Sequence, residues 1–187
     1  MKMAALKAKK KHPMAVNDLA FLYQYLTEPT TEMWNIILSI DGDYIRYIDA
    51  PTEKMKMIAV SSTPTSMHYI KNPSVLLQTM TIDACPTCIS YIVDPSEEIQ
   101  LYAVSKDALA IRAINEPTLA VQRMAITADP SYVCYITNPE AEIVVDATNA
   151  MLNSGAVDDI LYAIDEIGQD KYYSYLDDDV ILAIELM

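Results

Sequence analysis

The sequence predicts an all-α protein, an α-solenoid of about seven 22-residue helix-turn-helix repeats with atypical end caps. Two observations predict this fold. Prolines recur at positions 29, 51, 73, 95, 117 and 139, so that every gap is 22 residues. Only three glycines occur, which argues against the tight turns of an all-β fold and excludes a Gly-rich phosphate loop. Because one short unit cannot bury its own apolar face, stacking of the units is expected to form the core.

The first helix of each repeat is predicted to begin at the proline, which suits the first helical position because it has no N–H to leave unpaired. The residue before it is a favourable N-cap in three units, at Asn72, Asp94 and Asn138. Apolar residues follow at the fifth, eighth, ninth and tenth positions, the spacing of an amphipathic helix. The ninth position is small, at Ala59, Ala103, Ala125 and Ala147, and is expected to let a neighbouring helix approach closely.

A second helix is predicted later in the unit, where Thr63-Pro64, Cys85-Pro86 and Asp129-Pro130 repeat the cap-then-proline pattern. It has room for about two turns and is short enough to be partly 3₁₀. Its recurring tyrosines are predicted to be core residues with the hydroxyl at the rim; they are Tyr47, Tyr69, Tyr91 and Tyr135. A solenoid of the leucine-rich-variant type, with alternating α and 3₁₀ helices, is the alternative fold.

The domain organisation follows from where the repeat is regular. Residues 1–12 carry five lysines and no acid and are predicted to be a basic N-terminal tail. Residues 13–187 are predicted to form a single α-solenoid domain, with regular repeats over 29–138 and a variant, acidic C-terminal cap over 139–187. In that cap Asp146 and Thr148 occupy apolar positions, and Asn153-Ser154-Gly155 breaks the register. The first unit, residues 7–28, has Lys11 at a core position and is interpreted as an N-terminal cap.

The charge is strongly negative and unevenly distributed. The formal net charge is −13, and residues 127–187 carry 13 acids against one base, Lys171. Such a field repels nucleic acid and anionic membranes and attracts basic partners. No apolar run reaches 18 residues, so no membrane span is expected, and the basic N-terminus lacks the apolar stretch of a signal peptide. Three cysteines, an odd number, favour a reducing cytoplasm.

Two of the units carry a resemblance to a known repeat. The segments NPSVLLQTMTIDACPTCISYI and DPSEEIQLYAVSKDALAIRAI resemble a repeat, NPSEEVQLAAVKQNGYAIQYI, of proteins of unknown function from large tailed phages and some bacteria. The resemblance covers about residues 14–145 and departs from the family where Pro or Ala replaces Gly-Tyr. It offers no catalytic residue to carry over. It implies a phage origin and a cytoplasmic setting in an infected bacterium, where small acidic phage proteins often block host proteins.

Catalytic motifs are missing from the sequence, and the protein is predicted not to be an enzyme and to need no cofactor. No HExxH motif, paired carboxylates or nucleophile–base pair can be named. His12 lies beside the lysines, and His68 shares a repeat position with Arg46, Ser90 and Arg112 that is expected to face solvent.

Cys85-Pro86-Thr87-Cys88 forms a CxxC motif, which in redox proteins sits in a thioredoxin-like βαβ fold that this chain lacks. Zinc would need two further ligands, for which Cys134 and His68 are the only nearby candidates. Cys85 occupies the position of the second-helix cap and is therefore interpreted as a structural thiol that replaces the cap. Asp41-Gly42-Asp43 lacks the remaining ligands of a calcium loop. No metal site is predicted.

A partner-binding site is predicted in the C-terminal cap, where three tyrosines outside the repeat pattern lie among acids. Tyrosine is enriched at protein interfaces, and acids attract a basic surface. The predicted site consists of Asp158, Asp159, Asp165, Glu166, Asp170, Tyr172, Tyr173, Tyr175, Asp177, Asp178 and Asp179.

The sequence thus predicts a non-enzymatic protein–protein interaction module of phage origin. The expected partner is a host protein with a basic surface, for example a defence or nucleic-acid enzyme that the module inhibits; direct binding of nucleic acid or a membrane is not expected. One alternative is a structural or assembly module that self-associates through the apolar tail, residues 180–187. Another is an acidic mimic of nucleic acid.

Overall fold

A computed structural model describes residues 29–186, and within this range the chain forms nine α-helices, five 3₁₀ helices and no strand. The α-helices are α1 (Thr31–Leu38), α2 (Glu53–Ser62), α3 (Val75–Ala84), α4 (Glu97–Lys106), α5 (Leu119–Ala128), α6 (Ala141–Ser154), α7 (Val157–Ile167), α8 (Gln169–Tyr173) and α9 (Asp178–Glu185). The 3₁₀ helices are η1 (Gly42–Tyr47), η2 (Pro64–Tyr69), η3 (Pro86–Tyr91), η4 (Ala108–Ala113) and η5 (Pro130–Tyr135). The predicted all-α solenoid class is confirmed. The basic tail and the first unit lie outside the described residues.

Helices of the two kinds alternate from α1 to η5, one of each per 22-residue unit. Each 3₁₀ helix is six residues long and begins directly after the predicted second cap position. The short second helix is therefore confirmed, and it is 3₁₀ throughout. The alternative fold, a solenoid of the leucine-rich-variant type, has this same alternation of α and 3₁₀ helices.

The N-caps of the first helices differ from the prediction. The cap is the residue after the proline, as at Ser74, whose hydroxyl accepts a hydrogen bond from the Leu77 N–H at 3.4 Å. Asn72, Asp94 and Asn138 are instead left-handed, with φ of 50, 47 and 55°. Short polar side chains tolerate this conformation better than others do. Ala50 and Glu116 stand at the same repeat position without such a side chain, and neither has a positive φ.

Contacts within the chain divide it into two compact units, one ending at Val93 and one beginning at Asp94. In the compact unit that ends at Val93, α1, α2 and α3 pack in succession, and so do η1, η2 and η3. In the second unit α4, α5 and α6 pack in succession, and η4 packs on η5. Contacts in a repeat array are made mainly between neighbours, so this division does not by itself separate domains. The single domain over 13–187 stays a prediction.

The core is built from three of the four predicted positions of the first helix. Residues at the fifth, ninth and tenth positions are buried, and Ala59, Ala103, Ala125 and Ala147 have no exposed surface. The eighth position was wrongly assigned to the core, since Met124 is 38% exposed and Asp146 lies at the surface. There the Asp146 carboxylate accepts a hydrogen bond from Arg123 Nη1 at 2.7 Å, which explains an acid at that position.

Buried glutamines join consecutive repeats in the second unit. Gln122 Nε2 donates to the carbonyl of Pro117 in its own repeat at 3.0 Å, and its Oε1 accepts from the Glu140 N–H of the next repeat at 3.0 Å. Gln100 makes the equivalent pair of bonds, to Pro95 and from Thr118, at 3.1 and 3.2 Å. Each glutamine thereby satisfies backbone groups at a turn between helices.

The tyrosines that end four of the 3₁₀ helices are not core residues, contrary to the prediction, and Tyr135 among them is half-buried. In the first compact unit Tyr47, Tyr69 and Tyr91 are exposed, and the side chains of Arg46 and His68 lie between them. The Arg46 guanidinium lies 4.9 and 5.6 Å from the centres of the Tyr47 and Tyr69 rings. The His68 ring meets Tyr69 and Tyr91 edge-on at 5.2 and 5.8 Å. The prediction that Arg46 and His68 face solvent is confirmed, and the tyrosines join them there.

The regular alternation ends after η5. Helix α6 continues for 14 residues and stops at Gly155, which has a φ of 74°. The left-handed glycine is a common helix terminator because it has no Cβ to clash. Helix α7 then packs against both α6 and η5, and α8 packs against α7. The predicted break in register at Asn153-Ser154-Gly155 is confirmed.

Candidate protein-interaction surface

Helix α7 presents acids on one side and packs apolar residues on the other. Ile160 and Ala163 are buried. On the opposite side four predicted site residues are exposed; they are Asp158, Asp159, Asp165 and Glu166. The first two lie in the first turn, where the helix dipole favours negative charge.

Two large side chains lie exposed between these acids, and the sequence interpretation missed both. Leu161 is 54% and Tyr162 is 45% exposed. A hydrogen bond with the Glu166 carboxylate, one helical turn away, raises the pKa of the Tyr162 hydroxyl. We call the side formed by Asp158, Asp159, Leu161, Tyr162, Asp165 and Glu166 the α7 face. The signal was present in the sequence, because once Ile160 and Ala163 face inward, residues 161 and 162 must face outward.

The other predicted acids are exposed on the elements that follow. Asp170 lies on α8, Asp177 precedes α9, and Asp178 and Asp179 form the first turn of α9. Tyr173 and Tyr175 are half-buried. Every acid of the predicted site is therefore accessible.

Tyr172 is the exception, and its assignment to a partner-binding surface is wrong. Its side chain has no exposed surface, and its hydroxyl lies 2.6 Å from the hydroxyl of Thr148 on α6. Burial raises the pKa of Tyr172. The residue departs from the tyrosine pattern of the repeats because it satisfies a buried threonine, and in this structure it cannot contact a partner.

A polar cleft of about 280 Å³ borders the α7 face, and Glu166, Lys171, Asn138 and Cys134 are among its lining residues. Lys171 Nζ donates a hydrogen bond to Asn138 Oδ1 at 3.2 Å. Burial, and secondly the negative charge of Glu166, raise the pKa of the Cys134 thiol to about 11. Cys134 is consequently a neutral thiol near pH 7, which makes it a poor nucleophile there.

Helix α9 exposes part of the apolar tail. Leu182 is 53% and Leu186 is 78% exposed, and the two lie four residues apart on one side of the helix. Ile184 is buried at 7% exposure. The tail thus has an apolar exposed side and an anchor in the core.

The structure of the CxxC motif contradicts the interpretation of Cys85 as a structural thiol that replaces the cap. Cys85 does occupy the cap position of η3, but its side chain caps no backbone N–H, and its sulfur is bonded to that of Cys88. Within the described residues no three His, Cys, Asp or Glu side chains are arranged to hold a metal ion. Across residues 29–186 no helix has the length and apolarity needed to span a membrane.

Comparison of the chain with protein-family models, with curated proteins and with solved structures found no match in any of the three.

Proposed function

We propose that this protein is a non-enzymatic interaction module that binds a partner with a basic surface through the α7 face. The observation that carries the proposal is the pair Leu161 and Tyr162, exposed on a helix whose neighbouring side chains Asp158, Asp159, Asp165 and Glu166 are also exposed. An apolar and aromatic centre with a charged rim is the usual composition of a protein interface. Asp170 and Asp177–Asp179 add further exposed negative charge, which would help to attract a basic partner.

The partner we propose is a host protein in a bacterium infected by a phage, with inhibition of a defence or nucleic-acid enzyme as the outcome of binding. The support is the resemblance of two repeats to a phage repeat, together with the net charge of −13. An acidic surface competes with nucleic acid for a basic groove, which gives a physical route to inhibition.

The test is an affinity capture of the tagged full chain from bacterial lysate at low and at high salt, followed by calorimetry with the captured protein. The surface variant combines Leu161→Ser and Tyr162→Ser with Asp165→Asn and Glu166→Gln. The matched control replaces Glu97 and Glu98, two exposed acids in the first turn of α4, by Gln. Tyr172 stays unchanged in every variant because its substitution would test folding rather than binding.

A partner that is lost from the surface variant and retained by the control supports the proposal. A partner that both variants bind equally well rules out the α7 face. Recovery of the bait alone at both salt concentrations rules out the host-protein interpretation. Binding that weakens steeply with salt and competes with DNA would indicate mimicry of nucleic acid instead.

A second candidate function, self-association, is favoured by the exposed Leu182 on α9 and Leu186 directly after it. Light scattering of the purified chain would show a defined oligomer, and Leu182→Glu with Leu186→Glu would reduce it to the monomer. Ile184 is unsuitable as a probe because it is buried. A wild-type chain that is monomeric at all concentrations excludes this candidate.

A further inference from the structure

The repeat that begins at Pro73 lacks the side-chain cap of its 3₁₀ helix. At the equivalent position of the next two repeats, Asp107 and Asp129 each accept a hydrogen bond from the backbone N–H two residues further on, at 3.0 and 2.9 Å. Cys85 stands in their place and caps no backbone N–H. The 3₁₀ helix η3, like η2, therefore begins without the side-chain hydrogen bond that holds the first turn of η1, η4 and η5.

A covalent bond replaces that cap. Cys85 and Cys88 lie three residues apart with a Cα–Cα distance of 5.3 Å, and their sulfurs are bonded. This separation is inside the range of about 4.4–6.8 Å that disulfides require, so no backbone movement is needed to form or open the bond. We propose that Cys85 and Cys88 form a dithiol–disulfide exchange site for the glutathione couple, in which the disulfide takes over the role of the helix cap. The proposal is independent of the partner proposed above.

The burial of the two sulfurs sets the direction of exchange. Cys88 is 3% exposed, whereas Cys85 is half-buried. On oxidation the Cys85 thiolate attacks one sulfur of glutathione disulfide and displaces a glutathione thiolate. The Cys88 thiolate then attacks Cys85 and displaces the second glutathione. Two electrons pass from the cysteine pair to glutathione disulfide, and the two thiol protons go to the released glutathione thiolates. Reduction runs in reverse, with glutathione attacking at Cys85.

Opening the bond acts on one segment of the surface. Helix η3 ends at Tyr91, whose ring meets His68 edge-on at 5.8 Å. In the reduced form neither a cap nor a crosslink holds the start of this helix, so the backbone of 86–91 is expected to open more often. The redox state of the pair is thereby linked to the order of the edge-on contacts that His68 makes with Tyr69 and Tyr91.

The experiment equilibrates the folded full chain with glutathione and glutathione disulfide at a series of ratios. Free thiols are then alkylated with N-ethylmaleimide in denaturant, and the mass of the protein is measured by mass spectrometry. The chain has three cysteines, so the oxidised form takes up one alkyl group and the reduced form three. We expect a single transition between these masses. Cys134→Ser, the matched control, should keep that transition and lose one alkyl group from both forms.

Single variants test the direction of attack. With Cys88→Ser, the remaining Cys85 is expected to form a stable mixed disulfide with glutathione, because no resolving thiol follows it. With Cys85→Ser, the buried Cys88 is expected to form little mixed disulfide with glutathione. Hydrogen exchange should speed up on reduction at the amides of 87–91 and stay unchanged in η2 and α2.

Four outcomes would overturn the proposal. The pair could stay reduced at every ratio, or the disulfide could resist glutathione until the chain unfolds. Cys88 could react as readily as Cys85 in the single variants, or amide exchange at 87–91 could be the same in both redox states.

Discussion

The hydroxyl groups of Thr148 and Tyr172 lie 2.6 Å apart in the interior of the second unit, on α6 and α8. Thr148 also donates to the carbonyl of Val144 at 2.7 Å, so Tyr172 must donate to Thr148. A buried hydroxyl without a partner is costly, and each residue here satisfies the other. Two features of the variant cap, a threonine at an apolar repeat position and a tyrosine outside the tyrosine pattern, thus have one cause.

Tyr172→Phe is expected to lower the free energy of unfolding by about 1 kcal/mol, because the Thr148 oxygen loses its donor while the aromatic ring stays in place. Urea unfolding of the purified chain measures the change. The pH dependence gives a second test. Burial raises the pKa of Tyr172 in the folded state, so its contribution to stability is complete below pH about 10 and declines as the pH rises further. This alkaline decline should be weaker in Tyr172→Phe.

Thr148→Val tests the same bond from the other side. Alone it leaves the Tyr172 hydroxyl buried and unpaired, and we expect a loss of about 1–3 kcal/mol. The double variant Thr148→Val/Tyr172→Phe lacks both polar groups. Its loss in free energy of unfolding should therefore be smaller than the sum of the two single losses by about 0.5–3 kcal/mol. Additive losses would show that the two hydroxyls do not interact.

Gln122→Leu is expected to lower the free energy of unfolding by about 2 kcal/mol, since it leaves the Pro117 carbonyl and the Glu140 N–H without their partner. The matched control is Gln169→Leu at an exposed position, where a change below about 0.5 kcal/mol is expected. Thermal or urea unfolding compares the two. Equal losses would mean that the buried amide does not join the repeats.

The period of 22 residues was predictable because proline and cap residues act locally, and a local signal can be read in every repeat. The exact cap was not predictable, because Asn72 and Ser74 are both good N-caps and only the backbone decides between them. The exposure of Tyr69 was missed for a related reason. An aromatic residue at a regular spacing satisfies both a core and a stacked surface position, and the cation that decides, Arg46, comes from the preceding repeat.

Gly42→Ala is expected to destabilise the chain by about 3 kcal/mol, the upper part of the range for overpacking. A Cβ at Gly42 would meet the backbone carbonyl oxygen of Ala59 on α2, which cannot move aside as a side chain could. The reason is steric, since the backbone of Gly42 is not left-handed. Pro64→Ala changes the equivalent position of the next repeat and should cost about 1 kcal/mol or less. A similar loss in both variants, measured by urea unfolding, would contradict the close approach of η1 to Ala59.

The acids of the candidate site could be predicted because charged side chains are seldom buried without a partner. Composition could not separate Tyr172 from Tyr162, since an isolated tyrosine suits an interface and a core equally well. Their positions decide: Tyr162 shares the exposed side of α7 with Asp158 and Glu166, whereas Tyr172 faces the Thr148 hydroxyl. Long-range partners of this kind leave no periodic trace in the sequence.

Cys134 is expected to react with iodoacetamide in the folded chain with an apparent pKa of about 11, against an ordinary value of 9.0. Burial is the larger cause and the charge of Glu166 the second, so Glu166→Gln should lower the apparent pKa by only part of this shift. Asp165→Asn, on the same helix, is the control and should leave the apparent pKa unchanged. The rate of alkylation against pH, measured in a Cys85→Ser/Cys88→Ser background, gives the values.

The same shift predicts how stability depends on pH. A thiol whose pKa is higher in the folded than in the unfolded chain stabilises the fold fully below pH 9.0, and this contribution is lost as the pH rises towards about 11. Cys134→Ala in the same background should therefore lose less stability than its parent over this interval, as measured by urea unfolding at a series of pH values. An apparent pKa near 9.0 in the folded parent, or equal losses in both chains, would show that the thiol beside Glu166 is open to water.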